Sequence, residues 1–215
     1  MARIKARPAA LSCSVEQIVS SLGSLADPGD ELAERLCIWT ELLEKWSGSQ
    51  RLVGWRHAEG LLSEGLLDAW AAVPLLSESE PRPIIDLGSG SGLPAIVFAA
   101  ACPSREMHLV EARRKRASFL QASARALGLE QVRVHNARLE DLGKQGVLPR
   151  GAVVTARAFA PPAAVLVAAQ SLGASHTLLS VSRDSASQQW PAPWKEQARR
   201  PGAPKERRVH VLLKA

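Results

Sequence analysis

Residues 84–92 read Ile-Ile-Asp-Leu-Gly-Ser-Gly-Ser-Gly, and this stretch decides the fold. Two β-branched apolar residues followed by glycines two apart predict a buried strand that breaks into a tight turn. Glycine tolerates a positive φ and has no Cβ, so such a turn lets bare backbone approach a ligand. The apolar residues that follow predict a helix over 92–101, whose N-terminus would point at that ligand. The stretch therefore predicts a nucleotide-type cofactor site.

The spacing of the glycines indicates which cofactor fits. The dinucleotide fingerprint G-x-G-x-x-G would require a third glycine where this chain has Leu93. The observed order, with Asp86 leading Gly88, Gly90 and Gly92, is similar to the first motif of S-adenosylmethionine-dependent methyltransferases. We therefore expect S-adenosyl-L-methionine as the cofactor. A nicotinamide dinucleotide and an ordinary glycine-rich turn remain as alternatives.

Further candidate cofactor contacts lie where later strands end. Residues 107–111 predict a short strand ending in Glu111, about 20 residues past the glycines, where a carboxylate would accept both ribose hydroxyls. After the third strand, backbone groups of Leu139 and Glu140 could read the adenine edge, although Glu140 could equally begin a helix. Arg157 emerges from the fourth strand, and we expect it to face the cofactor or substrate pocket, because burying an unpaired guanidinium is costly.

The alternation of strands and helices gives the fold class. It predicts an α/β protein with a doubly wound, mostly parallel sheet of the Rossmann-like, class I methyltransferase type. Strands are predicted at 83–88, 106–111, 131–136, 151–157, 176–182 and 207–213, and helices near 92–101, 113–127 and 161–171.

The two ends of the chain differ from this core. Residues 1–80 carry apolar stripes at helical spacing, one beginning at Asp30 and one ending before Pro74, and predict a helical extension. We expect it to pack on the methyltransferase core, residues 81–215, as one structural unit. Residues 185–204 are rich in Pro, Ser, Gln and Arg and predict an irregular connection.

Composition bears on partners and location. The formal charge of +6 and the pI near 9.7 favour a polyanionic partner. The strongest basic cluster is either an RNA-binding surface or a solvated helix face. Three scattered cysteines argue against a metal cage, and no apolar stretch is long enough for a signal peptide or a membrane span. We expect a cytoplasmic monomer without metal or membrane contact. The residues of the basic cluster named above are Arg113, Arg114, Lys115 and Arg116, with Arg125.

Three groups of residues carry a resemblance to a known family. The runs 86–94 (Asp-Leu-Gly-Ser-Gly-Ser-Gly-Leu-Pro), 115–120 (Lys-Arg-Ala-Ser-Phe-Leu) and 157–160 (Arg-Ala-Phe-Ala) resemble the small-subunit ribosomal RNA methyltransferase G family, formerly called glucose-inhibited division protein B. The likeness extends from about residue 41 to 214. It implies methyl transfer from S-adenosylmethionine to N7 of a guanine in 16S rRNA, with the small ribosomal subunit or its precursor as partner. By motif position it implies cofactor contacts at Gly88, Leu93, Leu139, Glu140 and Arg157.

The chain departs from the family on the expected RNA side. Arg51 and Val53 stand where the family has Asn and Thr, Glu64 and Gly65 stand where it has Arg and His, and Arg183 falls in the segment of its Leu-Lys-Gly. The residues of the cofactor motifs, in contrast, match the family. These changes favour one alternative, a related methyltransferase acting on another RNA or a small molecule. A non-catalytic module that binds the cofactor or associates with the ribosome is the third possibility. No catalytic side chain is assigned, since guanine N7 carries a lone pair and no proton.

Overall fold

The computed structural model describes residues 10–48, 52–77, 80–183, 189–204 and 208–215. Its helices are α1 (Val15–Leu22), α2 (Asp30–Ser47), α3 (Ala58–Gly60), α4 (Leu67–Ser77), α5 (Ala95–Ala101), α6 (Arg114–Ala126), α7 (Leu139–Gln145) and α8 (Pro162–Ser171), and a π-helical segment (Leu61–Leu66) joins α3 to α4. Its strands are β1 (Ile84–Leu87), β2 (Met107–Val110), β3 (Val132–His135), β4 (Val153–Ala156), β5 (His176–Ser182), β6 (Lys195–Pro201) and β7 (Arg208–Lys214).

The strands form one sheet in the order β3-β2-β1-β4-β5-β7-β6. The first five strands in this order are parallel, and β7 runs antiparallel between β5 and β6. The chain crosses from β1 to β2 on one side and returns to β4 on the other. A crevice forms at such a switch point, outside the carboxyl ends of the strands. The predicted α/β class and doubly wound, mostly parallel sheet are confirmed.

A separate apolar core covers each face of the sheet. On one face α2, α4, α5 and α6 bury side chains such as Leu36, Trp39 and Phe119 against β1 and β2. On the other face α8 packs Val165 and Leu166 against Val154 of β4. Alternate residues of a strand point to opposite faces, so Asp86 and Leu87 at the end of β1 serve different sides of the sheet. Among the described residues, no helix has both the length and the apolarity to cross a membrane.

Two sequence-based expectations about the secondary structure were wrong. Residues 195–201 of the expected irregular connection form β6, an edge strand paired antiparallel with β7. Its side chains are mostly exposed, so it carries no apolar alternation, and Pro201 is tolerated because it lies on an edge strand. Helix α4 does not end before Pro74 but continues to Ser77, because Leu75 and Leu76 are fully buried in the core and hold the last turn. Residues 184–188 lie outside the described part of the chain.

Candidate active site

The glycine turn leaves β1 toward the crevice. The backbone nitrogens of Gly88 and Ser89 both donate to the Val110 carbonyl, at 2.9 and 3.1 Å, which fixes the turn against the end of β2. Gly88 has φ +67°. A Cβ on Gly88 would lie 2.5 Å from Cδ2 of Phe159, so no larger residue fits without moving that ring. The turn thus needs glycine at this position, and the predicted approach of the backbone to a ligand stays a prediction.

Glu111 joins the end of β2 to the same turn. Its Oε2 accepts a hydrogen bond from the Gly90 nitrogen at 3.0 Å, and its Oε1 accepts one from the Arg113 nitrogen at 2.8 Å. The Nδ2 of Asn136 donates to the Glu111 carbonyl at 3.0 Å, so the next strand end holds its backbone. An ionised carboxylate has about four acceptor positions. Glu111 therefore keeps the capacity to accept further hydrogen bonds from a ligand.

An open cleft of about 1240 Å³ lies over the carboxyl ends of β1 to β4. Four of the nine candidate cofactor contacts line it: Gly88, Glu111, Leu139 and Glu140. Leu139 and Glu140 begin α7, which confirms the alternative that Glu140 starts a helix, while a contact with adenine stays a prediction. The remaining lining residues are Leu87, Val110, Ala112, Arg113, Arg116, Ala137, Arg138, Ala158 and Phe159.

Four other candidates shape the turn from beneath and do not line the cleft. Gly90 gives its nitrogen to Glu111, while Gly92 packs so tightly that a Cβ there would lie 2.6 Å from Cγ1 of Ile96. Leu93 is buried. Asp86 is buried as well, and its carboxylate accepts a hydrogen bond from Oγ1 of Thr155 at 2.7 Å.

The environment of Asp86 favours its protonated form. Burial raises the pKa of Asp86 to about 6, although hydrogen bonds with Thr155 and Ser89 oppose the change, and the charge of Glu111 adds to it. A carboxyl that is buried among apolar residues loses the hydration of its charged form. The loop below the cleft thus contains an acid that titrates close to neutral pH.

Arg157 is not placed in this cleft. Its Nη2 donates to the Glu64 carbonyl at 2.8 Å and its Nη1 to the Gly65 carbonyl at 3.4 Å, while the guanidinium lies 5.6 Å from the centre of the Trp55 ring. The alternation along β4 explains this, because Thr155 faces the helices α4 and α5 and Arg157, two residues later, continues to the same side. The guanidinium is partnered there, as the burial argument required.

A second, much smaller cavity of about 20 Å³ opens beside Arg157, between α4, α5 and the strands β4, β5 and β7. Asp68 lines it, with its carboxylate 3.1 Å from Nε2 of His210 and 3.8 Å from Nη2 of Arg157. Burial raises the pKa of Asp68, but the hydrogen bond from His210 and the charges of His210 and Arg157 outweigh it and leave that pKa below its ordinary value. The N-terminal helices are therefore tied electrostatically to the strand that delivers Arg157.

The structure divides the predicted basic cluster. Arg113 and Arg116 line the cleft, and Arg114 and Lys115 are exposed in the first turn of α6 beside it. Arg125 is exposed at the opposite end of α6, nine residues beyond Arg116 and so roughly 14 Å away along the helix axis. Two of the five side chains, those of Arg113 and Arg116, thus border the cleft.

Several site residues escaped the sequence analysis. Arg138 borders the cleft, and its position after β3 was the available signal. Phe159 also borders it, in the Arg-Ala-Phe run that carried the family resemblance. Asp68 and His210 are far apart in sequence, and no local pattern indicates their contact. The changed position 51 lies outside the described residues.

Comparison with known proteins agrees with the family resemblance of the sequence. A family model described as rRNA small subunit methyltransferase G matches residues 32–192. A protein of Granulibacter bethesdensis named "Ribosomal RNA small subunit methyltransferase G" is 37% identical over 151 residues, which are 70% of this chain and 67% of that protein.

Two solved structures share the fold. The putative methyltransferase yhhF from Escherichia coli has a TM-score of 0.55 at 13% identity, covering 68% of this chain and 85% of its own. Fibrillarin from Aeropyrum pernix, in complex with S-adenosyl-L-methionine, has a TM-score of 0.51 at 15% identity, covering 66% and 73%. The match of the family model over most of the sequence confirms the resemblance, and the chain belongs to the rRNA small subunit methyltransferase G family.

Proposed function

We propose that this protein transfers the methyl group of S-adenosylmethionine to N7 of a guanine in the 16S rRNA of the small ribosomal subunit. The observation that carries the proposal is the carboxylate of Glu111, which is joined to the glycine turn and lines an open cleft bordered by Arg113, Arg116 and Arg138. Membership of the methyltransferase family gives the reaction class, and the resemblance implies the guanine N7 target.

The residues of the cleft fit the proposed cofactor. Glu111 has acceptor capacity for the ribose hydroxyls, and Gly88, whose backbone carries no Cβ, lies in the wall of the same cleft. Leu139 and Glu140 lie at the β3 end of the cleft, where the adenine would be read, so the methionine part is expected toward β1 and β4. The cofactor supplies a methyl group on a sulfonium, which is an electrophile.

The chemistry asks for alignment rather than for a base. Guanine N7 offers its lone pair to the methyl carbon while the carbon–sulfur bond breaks and its electrons go to sulfur, so no proton moves. The protein would then act by holding the nucleophile in line with the methyl group and by excluding water, an effect that can be large. A cleft whose polar groups bind and orient ligands, without a general base, is consistent with this mechanism.

The arginines at the mouth suit an RNA substrate. Arg113 and Arg138 are exposed and Arg116 is half-buried, all on the rim of the same cleft. Contacts of this kind release counterions from the phosphates, so binding should weaken steeply with added salt. We expect the protein to act as a monomer in the cytoplasm, where ribosomal subunits are assembled.

The test is direct methylation. Purified protein is incubated with the cofactor and with small subunits from a strain that lacks the corresponding gene, and the digested 16S rRNA is searched for 7-methylguanosine by mass spectrometry. We expect one new 7-methylguanosine, and its yield should fall as salt rises. Unmodified guanine N7 would refute the proposal.

A different target is the second candidate, because two of the residues that depart from the family, Glu64 and Gly65, contact Arg157. Glu64 accepts a hydrogen bond from Nε1 of Trp55 at 2.8 Å, and the Glu64 and Gly65 carbonyls accept from Arg157. The altered residues therefore form the wall beside the strand end nearest the second cavity. Mapping of all methylated nucleosides in RNA from a deletion strain would reveal a redirected target as a missing modification elsewhere.

A further inference from the structure

We propose that Phe159 is the surface on which the target guanine stacks, and that its ring stabilises the positive charge the base acquires. This inference rests on the proposed function and extends it to a residue that positions the substrate. It is carried by the exposure of the ring, by the backbone that presents it, and by its place at the reacting end of the cleft.

The ring is exposed where the other aromatic side chains are not. Phe159 is 44% exposed, whereas Phe98 and Phe119 are fully buried. Among the described residues, every tryptophan is buried or half-buried. The ring lies against Gly88 on one side, and the rest of it is left in water beside the cleft. A solvent-facing aromatic next to a nucleic-acid site is a common stacking platform for unpaired bases.

The backbone holds the ring in place at a steric cost. Ala158, directly before it, has φ +52° and is the one non-glycine residue with a positive φ in the described part of the chain. Such conformations persist where the surrounding structure imposes them, and they concentrate at ligand sites. Here the turn brings the ring over Gly88, within 2.5 Å of where a Cβ would be. The ring is therefore presented by the fold.

The position of the ring corresponds to the reacting end of the cleft. Glu111, the expected ribose acceptor, ends β2, and β4 lies beside β1 on the side opposite to β2. Phe159 follows β4, so it lies at the end away from Leu139 and Glu140, where the adenine is expected. A base that approaches the methyl group must enter beside Phe159.

The chemistry gives the ring a second role. When N7 forms its bond to the methyl carbon, the positive charge leaves sulfur and spreads over the guanine ring. The face of an aromatic ring attracts a cation, and the attraction strengthens when both are shielded from water. A base stacked on Phe159 is thus stabilised more as it becomes methylated than before, which is the condition for faster transfer.

Nucleotide binding tests this without requiring turnover. The affinities of guanosine 5′-monophosphate and 7-methylguanosine 5′-monophosphate are compared by NMR titration of the protein saturated with S-adenosylhomocysteine. The wild type should prefer the methylated, cationic nucleotide. Phe159→Leu keeps the apolar volume but removes the aromatic face, and should lose that preference and roughly tenfold in affinity. Phe159→Tyr should retain both, and Val167→Ala, at an exposed apolar position on α8, should match the wild type.

Each outcome decides the assignment. The same S-adenosylhomocysteine affinity in all four proteins, with a lower kcat for rRNA methylation in Phe159→Leu alone, supports stacking. A weaker S-adenosylhomocysteine affinity in Phe159→Leu would make the ring a cofactor contact and overturn the proposal, as would a wild type that does not distinguish the nucleotides. If the nucleotide preference is present but rRNA stays unmodified, the proposed function fails and the stacking role stands.

Discussion

Oε2 of Glu111 lies 3.0 Å from the backbone nitrogen of Gly90, while Oε1 of the same carboxylate lies 2.8 Å from the nitrogen of Arg113. One side chain therefore orients two loops that border the cleft, the glycine turn after β1 and the segment that leads into α6. The loops on which the proposed cofactor would rest are held relative to each other before any ligand enters.

Replacing Glu111 should weaken cofactor binding strongly. In Glu111→Ala the Gly90 nitrogen and the ribose hydroxyls both lose a charged acceptor, and each such hydrogen bond contributes about 1.5–3 kcal/mol. We expect the Kd for S-adenosylhomocysteine, measured by calorimetry, to rise at least roughly tenfold. Glu130→Ala, an exposed acid before β3, is the control and should bind as the wild type does. Equal affinities in both variants would remove Glu111 from the site.

Two glycines with similar backbone angles should respond differently to alanine. Gly88 has φ +67° and Gly128 has φ +63°, so both substitutions carry the same left-handed strain, about 1 kcal/mol. At Gly88 the new Cβ would meet the Phe159 ring at 2.5 Å, whereas at Gly128 nothing lies within 4 Å. Because Gly88 lines the cleft, a Cβ that forces the turn to move should weaken S-adenosylhomocysteine binding in Gly88→Ala, whereas Gly128→Ala should only lower the thermal midpoint by a few degrees. Unchanged S-adenosylhomocysteine binding in Gly88→Ala would show that the cleft tolerates a Cβ at this position.

The sequence can indicate those parts of the site that are formed by residues close together along the chain. The run from Ile84 to Gly92 specifies strand, turn and helix within one short segment, and Glu111 follows at a distance set by one crossover helix. The partners of Arg157 could not be found in this way, because Glu64 and Asp68 come from the N-terminal helices and reach it only after the chain has folded. Strand β6 was missed because its exposed side chains leave no periodic pattern, and its edge is defined only by pairing with β7.

The buried acid below the turn should make stability depend on pH. The pKa of Asp86 is raised to about 6 in the folded protein, above the ordinary aspartate value of 3.8, so the folded state binds the proton more tightly than the unfolded state. Stability from this group is therefore present at low pH and is lost as the pH rises from about 4 to about 6. The loss amounts to roughly 3 kcal/mol, at 1.4 kcal/mol for each pKa unit.

Asp86→Asn isolates this effect, because the amide oxygen can still accept from Thr155 but no longer ionises. We expect the difference in the free energy of unfolding between the variant and the wild type to change in favour of the variant between pH 4 and 6, and to stay constant above. Urea unfolding at several pH values measures it, and all other carboxylates cancel in the difference. Parallel stability curves would mean that Asp86 titrates normally.

Asp68 should contribute to stability through its contacts with His210 and Arg157. Its carboxylate lies 3.1 Å from Nε2 of His210 on β7 and 3.8 Å from Nη2 of Arg157 after β4, and it is only 1% exposed. Removing the carboxylate leaves the largely buried Arg157 guanidinium without a counter-charge, and breaking a buried ion pair in this way costs about 3 kcal/mol or more. We therefore expect Asp68→Ala to lower the free energy of unfolding by about that amount at neutral pH, as measured with urea. Asp141→Ala, at an exposed acid in the first turn of α7, should change it by less than about 0.5 kcal/mol. The contribution of Asp68 should also depend on pH. Because the pKa of Asp68 lies below its ordinary value in the folded protein, its contribution to stability is present above the unfolded pKa and is lost as the pH falls through the folded pKa.

The free energies of unfolding of Asp68→Ala and Asp141→Ala should therefore become equal in strong acid. A difference between them that persists there would assign the effect of Asp68 to packing instead of charge.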